Sequence, residues 1–371
     1  MSLTFRFLNV GHGSSTIVEF DDGSKKHFGV VDSNAEADSE PRALEVLRTL
    51  GATELSFLCL THPHRDHYSG LYAIGKHFTG KVGQFYSCPM GDLVANTRRR
   101  AKLAAHLVKI ASRTDGMSER TAAFEFLQII KWASTQENFW TECAGEENTI
   151  GPSGFSQVSI QTVLPLKVSK GEYIGRIERD DPNMFGNLDD NDISLAIRFS
   201  YAGVDVVLGG DGTLNNWRSR RNRFERNVGR RIMASVVNLP HHGSQHDSAP
   251  EVLENLFTIG GDRYGVTSAN GHSHPSQDVI EWLSKQGISP FCTNLMPACG
   301  ANASKLFAMP GISPELAAIL RQTALSGGVI QPCQGDITLR IESAGNFAVV
   351  PQHSSFCGYR SSFASLFPAG P

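Results

Sequence analysis

Seven consecutive residues, Thr61-His62-Pro63-His64-Arg65-Asp66-His67, place three imidazoles and a carboxylate within six positions. Histidine is the commonest protein metal ligand, and aspartate is a hard anionic partner for it. The run follows the apolar stretch Leu55-Ser56-Phe57-Leu58-Cys59-Leu60, so it lies where a strand ends and the chain turns. Alternation along such a turn aims His62 and His64 at one ion and Asp66 and His67 at a second. A two-ion site is the chemistry this spacing points to. The bland alternative is a polar surface loop.

The elements that must position these side chains read as a mixed α/β fold. Residues 3–9, 14–20 and 27–32 alternate like strands, and the third ends at Asp32. Pro41 opens a helix carrying Leu44, Leu47 and Leu50 at helical spacing, and Gly51 stops it. The strand at 55–60 delivers the histidine loop, and a short helix starts near Ser69. Residues 92–145 keep a helical period through Val94, Ala101, Leu107 and Val108, with a second helix over about 118–138, and read as a helical insertion. Strands are expected at 156–163, 193–200, 204–209 and 232–239. Residues 293–330, rich in Ala, Gly and Pro, read as a second insertion, and 335–342 with 347–350 as a closing hairpin. The whole chain, 1–371, is expected to be a single domain.

Composition sets the broad class. The chain has 371 residues, 40% hydrophobic and 19% charged, which suits a globular protein. No apolar run reaches the roughly 18 residues of a membrane span, and the N-terminus does not read as a secretory signal. Seven scattered cysteines without a C-x-x-C pair suit reduced thiols, so a cytoplasmic location is expected. The net charge of −3 gives no global pull toward nucleic acid, so any such contact needs a local patch.

A two-ion site needs a shared carboxylate and further imidazoles, and later strand ends supply them. Val206-Val207-Leu208-Gly209-Gly210-Asp211-Gly212 puts Asp211 just past an apolar strand in a glycine turn. Pro240-His241-His242-Gly243-Ser244 ends the next, and Gly271-His272-Ser273-His274-Pro275 follows another apolar run. Eight of the 13 histidines fall in 62–67, 241–246 and 272–274, a concentration that a random surface would rarely give.

In this order the motifs resemble the metallo-β-lactamase-fold hydrolases. With the N-terminal Asn9-Val10-Gly11-His12-Gly13-Ser14-Ser15, they are similar to the soluble hydrolase domain of the ComEC/Rec2 competence proteins and their free-standing relatives. The resemblance runs from about residue 3 to 290, plus the strand near 335–342, and implies a four-layer αββα fold with a helical insertion. Three departures stand out. Asn9, His12 and Ser14 replace the Asp, Gln and second Asp of the family's first loop. A third histidine for the first ion is missing. The membrane channel of the competence proteins is missing too, so DNA transport is not implied.

The resemblance implies two divalent ions, Zn²⁺ first and Mn²⁺ as the oxygen-rich alternative. His62, His64 and Asp211, helped by Asn191 or Asp192, would hold one. Asp66, His67, Asp211 and His241, or His242 in its place, would hold the other. Such a pair would bridge a water, lower its pKa to about 7 and leave a hydroxide as nucleophile. Asp66 would also be catalytic. His274 is a candidate acid or oxyanion donor, or else a structural histidine at a helix start. Asp32 would orient ligand side chains, with His12 beside them.

For substrate, Arg218, Arg220, Arg221, Arg223, Arg226, Arg230 and Arg231 fall within 14 residues, opposed only by Glu225. They suit bidentate contacts to a phosphodiester backbone, unless they are a solvated helix face. A second cluster is Arg98-Arg99-Arg100 with Lys102. The expectation is a phosphodiesterase or nuclease on DNA, RNA or a nucleotide, which could also be one component of a multi-protein system. The alternatives are an ester, thioester or lactam hydrolase with the same ions, and a non-catalytic binding module that keeps the fold. A flavodiiron-type oxygen reductase is disfavoured, because that branch resembles H-x-E-x-D and residue 64 is His.

Overall fold

Most strands are buried at nearly every position, so both faces of each sheet must be covered, and two facing sheets with helices outside them satisfy this. A computed structural model describes residues 1–35, 39–88, 119–135, 140–143, 149–178, 190–224, 232–269, 274–294 and 334–353. The elements in chain order begin with β1 (Ser2–Phe7), β2 (Thr16–Asp21), β3 (Lys26–Val31), α1 (Arg42–Thr49), β4 (Leu55–Leu60), α2 (Arg65–Tyr68), α3 (Leu71–His77) and β5 (Val82–Ser87). Next come α4 (Glu119–Ser134), β6 (Trp140–Glu142), β7 (Thr149–Ile150), β8 (Ser159–Leu164), α5 (Lys167–Glu178), a 3₁₀ turn at Asp190–Ile193, β9 (Ala196–Tyr201), β10 (Val204–Leu208) and α6 (Leu214–Phe224). The remainder are β11 (Val236–Asn238), a tight turn at Pro240–Gly243, α7 (Pro250–Leu256), β12 (Tyr264–Thr267), α8 (Gln277–Lys285), β13 (Ser289–Cys292), β14 (Ile337–Glu342) and β15 (Phe347–Pro351).

The first sheet runs β15-β14-β1-β2-β3-β4-β5-β6 and the second β13-β12-β11-β10-β9-β8-β7. Leu3, Phe5, Phe20, Val206, Phe199 and Val236 belong to the core between them, and Phe5 meets Phe199 edge-on at 5.2 Å. Period-two alternation sends Val207 and Val237 to the opposite face, where they pack with Trp217, Leu253 and Leu283 of α6, α7 and α8. On the other side, α1 buries Ala43, Leu44 and Leu47.

What matters for function is strand direction. β3, β4 and β5 are parallel, and so are β10, β11 and β12. The carboxyl ends of parallel strands gather on one edge, the usual place for ligands in α/β sheets. Asp32, the 62–67 loop, Asp211 and the His241-His242 pair all leave such ends. β9 is antiparallel to β10, so the turn preceding it, Asp190–Ile193, arrives at the same edge. The Leu195 N–H donates to the Thr61 carbonyl at 3.0 Å and ties the two sheets there.

Several expected boundaries shift for local reasons. The strand expected at 156–163 starts at Ser159, because turns from Pro152 to Val158 use the preceding residues. That expected at 232–239 shrinks to β11, because Ile232 and Ala234 pack in the outer apolar layer instead. The end of the 92–145 stretch is not helical: β6 extends the first sheet beside β5. Residues 92–118, with Arg98, Arg99, Arg100 and Lys102, and most of 293–330 lie outside the described residues.

Candidate metal centre

The site grows from turns whose backbones are held in uncommon conformations. His241 (φ 47°, ψ 53°) and His242 (φ 51°, ψ 25°) are both left-handed, a region costly for residues with a Cβ and often tied to function. The His241 N–H donates to the Gly210 carbonyl at 2.8 Å, which fixes this turn to the one bearing Asp211. Gly210 has φ +52°, and a Cβ there would lie 2.3 Å from the Leu195 carbonyl oxygen. Asp211 can therefore be delivered this close to β9 only behind a glycine. On the first sheet, the Ser14 N–H donates to the Asp66 carbonyl at 3.1 Å, and a Cβ on Gly13 would meet that oxygen at 2.2 Å. The N-terminal loop thus lies directly on the 62–67 loop.

Two groups of donors result. His62, His64 and Asp211 converge, and so do Asp66, His67 and His242, each set within 4.8 Å. Asp211 stands between them, its carboxylate 3.6 Å from His62 Nε2, 3.4 Å from His67 Nε2 and 3.6 Å from His242 Nε2. Asp66 Oδ2 lies 3.5 Å from His242 Nε2 and 3.7 Å from His67 Nε2. Ligands on a tetrahedral ion with bonds of about 2.0–2.1 Å stand about 3.4 Å apart, so these separations fit divalent ions. His62 Nε2 is wholly buried yet makes no hydrogen bond, an expensive arrangement that a metal bond would relieve.

The imidazoles are aimed from behind. Asp32, itself left-handed at φ 56°, accepts the His67 Nδ1–H at 2.7 Å, which leaves Nε2 facing inward. It also accepts the Thr61 N–H at 2.8 Å and the Thr61 hydroxyl at 2.7 Å. The electrostatics agree. Burial, with His67 and His64 alongside, pushes His62 well below its usual range and leaves it neutral. Burial opposes charge on His67 too, but Asp211, Asp66 and Asp32 outweigh it and raise its pKa. Asp211 is pulled down, against burial, by His242, His67, His241 and His62. The centre is a place where positive charge is in demand.

The structure sorts the other expected residues. His242, rather than His241, joins Asp66 and His67. His241 stands beside them with Nε2 3.9 Å from Asp211, while its Nδ1 lies 2.6 Å from Asp247, a partner not anticipated from sequence. Asp247 is brought to about 2: burial works against this, and hydrogen bonds from His241, His246 and the Leu214 N–H overcome it. His12 is exposed at 57%, with Nε2 3.5 Å from Asp66, so it borders the cluster directly. His274 lies beside His241 and His242, its ring tilted to theirs at centroid distances of 5.6 and 6.3 Å.

Asp192 does not reach the first cluster. Its carboxylate accepts the Thr213 hydroxyl at 3.0 Å, which draws it toward α6, while Asn191 is buried in the turn beside it. Asp190, which sequence reasoning missed, stands 3.7 Å from His64 Nε2 at the edge of that cluster. The acidic run 189–192 was the available signal; only the register within it was hidden. The arginine run divides as well. Arg218 pairs with Glu251 at 2.9 Å and Arg220 is buried, whereas Arg221 and Arg223 are exposed. Arg218 and Arg221 line a crevice between α6 and α7 with Trp217, Ile232 and Leu256. Arg226, Arg230 and Arg231 lie outside the described residues, as does His272.

No protein-family model and no curated protein matches the chain. Among solved structures it is similar to a mutant of the CmlA β-hydroxylase (TM-score 0.44, 12% identity), covering 78% of this chain and 52% of that one. It is also similar to YhfI from Bacillus subtilis, a metallo-β-lactamase fold protein (TM-score 0.41, 8% identity, 78% and 96% covered). A third is Zn²⁺-bound PqqB from Methylobacterium extorquens (TM-score 0.37, 11% identity, 75% and 84% covered). Two facing mixed sheets, helices outside both, and the H-x-H-x-D-H loop after a first-sheet strand define the architecture. This chain has the metallo-β-lactamase fold. Among its described residues no helix is long and apolar enough to cross a membrane.

His274 gives this centre a testable pH dependence. Burial, with His242 and His241 nearby, lowers it from 6.5 to about 4. The unfolded chain then binds more protons than the folded one between those values, so stability is full above about pH 6.5 and falls toward pH 4. Urea unfolding of EDTA-treated protein across that window should show the fall, and His274→Gln should make it shallower by one group's share. An equal slope in both proteins would mean that His274 is not the group.

Proposed function

We propose that this chain is a two-ion metal-dependent hydrolase of phosphodiesters, acting on nucleic acid or a nucleotide, in the manner of the free-standing ComEC/Rec2-like domains. The observation that carries the reading is Asp211, shared between two imidazole-carboxylate clusters at the carboxyl edge of both sheets. Divalent ions held there would supply Lewis acidity and lower the pKa of water. Zn²⁺ suits the donors, and Mn²⁺ suits their oxygen content.

The chain's own residues supply the rest. Asp32 holds His67 by Nδ1, with Nε2 turned toward His242 and Asp211. Gly13 and Ser14 pin the 62–67 loop, and with it Asp66. His12, His241 and His274, all nearer the surface than His62 and His67, rim the cluster and offer ring nitrogens to substrate oxygens. Burial keeps His274 neutral at pH 7, so it serves as a hydrogen-bond donor rather than a charge.

The test is turnover by purified protein with Zn²⁺ or Mn²⁺ of bis-p-nitrophenyl phosphate, single- and double-stranded DNA, RNA and a thioester, each beside His64→Ala. Metal-dependent phosphodiester cleavage, lost in the variant, is the expected result. Thioester turnover alone would transfer the proposal to carbon-centred esters. The arginines give a second check. Replacing Arg221 and Arg223 together by Ala should lower the salt slope of nucleic-acid binding by about two. Arg218→Ala, which removes a partner of Glu251, should change stability by less than about 1 kcal/mol. An unchanged slope in the double variant would remove α6 from the substrate surface.

A further inference from the structure

We infer that Asp190 is a metal-binding residue of the first cluster, taking the place of an absent third imidazole, and that the Tyr173 hydroxyl holds it there. The inference rests on the two-ion reading of the centre. Asp190 is 1% exposed and opens the short turn before β9, at the same edge as the other donors. Its Oδ2 lies 3.7 Å from His64 Nε2, within the range of the donor separations elsewhere in the centre. The Tyr173 hydroxyl, on α5 and 2% exposed, donates to Oδ1. One carboxylate oxygen is thus fixed from behind while the other faces the cluster, the arrangement in which an outer hydrogen bond orients a ligand. The wholly buried, unbonded His62 Nε2 is an independent sign that this cluster takes a cation.

The consequence is a balanced centre. His62, His64, Asp190 and Asp211 make one set of two imidazoles and two carboxylates; Asp66, His67, His242 and Asp211 make a second. Three carboxylates against two divalent ions leave one net positive charge, whereas a third imidazole at this place would leave two. The extra oxygen also makes the first position more hospitable to harder ions than an all-imidazole set.

Zn²⁺ titration of EDTA-stripped protein, with ions per chain counted by native mass spectrometry, tests this. Wild type should bind two ions, Asp190→Asn one, and Asp192→Asn two. Tyr173→Phe should keep both but bind the first-cluster ion at least about 10-fold more weakly, with the other affinity unchanged. If Asp190→Asn does not fold, Tyr173→Phe decides, because loss of one hydroxyl leaves the ring packing in place. Two ions of unaltered affinity in Asp190→Asn, or unaltered affinity in Tyr173→Phe, would overturn the inference while leaving the two-ion reading standing. Fewer than two ions in wild type would overturn both.

Discussion

Asp211→Asn should strip both ions from the protein and lower phosphodiester turnover by about 1000-fold or more, since metal Lewis acidity supplies several kcal/mol of transition-state stabilisation. The substitution keeps size and shape and removes one charge. That charge faces three imidazole nitrogens drawn from both clusters, 3.4 to 3.6 Å away, and His241 beside them at 3.9 Å. Every other donor belongs to one cluster, so a single-cluster change such as His64→Ala should leave the Asp66, His67 and His242 set able to hold an ion. Ion counting separates the two cases: fewer than one per chain for Asp211→Asn, about one for His64→Ala. Two ions retained in Asp211→Asn would show that the clusters do not share this carboxylate. Loss of fold is checked by urea unfolding of the stripped proteins.

How much of this was legible in sequence depends on the range of the interaction that fixes each residue. H-x-H-x-D-H after a strand is local: the turn itself aims the side chains, so His62, His64, Asp66 and His67 could be named without a fold. Asp211 was nearly as plain, because the two glycines before it announce a close backbone approach. The choice between His241 and His242 was not, since it turns on two successive left-handed residues and on Asp247 drawing one ring aside. Asp190 was hidden for a similar reason. Four polar residues run from 189 to 192, and only the turn before β9, with Tyr173 arriving from another helix, brings Asp190 beside His64. The arginine run misled through burial: composition cannot tell that Arg220 is 3% exposed or that Arg218 already has Glu251. Among strands, β12 and β13 are only four residues long, too short for alternation to declare them.

Asp32→Asn should be the most damaging change at a residue that faces neither cluster's interior. The carboxylate is 2% exposed and accepts three hydrogen bonds, two from Thr61 and one from His67. An amide of the same shape can accept the Thr61 N–H through its oxygen, but its nitrogen then confronts the Thr61 hydroxyl and the His67 Nδ1–H. The hydroxyl can rotate to accept; the imidazole can accommodate only by moving its proton to Nε2, the atom that faces Asp211 and Asp66. That tautomer cannot offer a lone pair to a cation. Metal affinity of the second cluster should therefore fall about 10- to 100-fold. The metal-free protein should lose about 1–3 kcal/mol in urea unfolding, because the buried amide cannot satisfy the Thr61 hydroxyl and the His67 Nδ1–H as the carboxylate does. The two readouts separate the roles of Asp32. A stability loss with unchanged Zn²⁺ affinity would make it a structural acceptor for Thr61 alone, and unchanged values in both would mean that the His67 tautomer is set elsewhere.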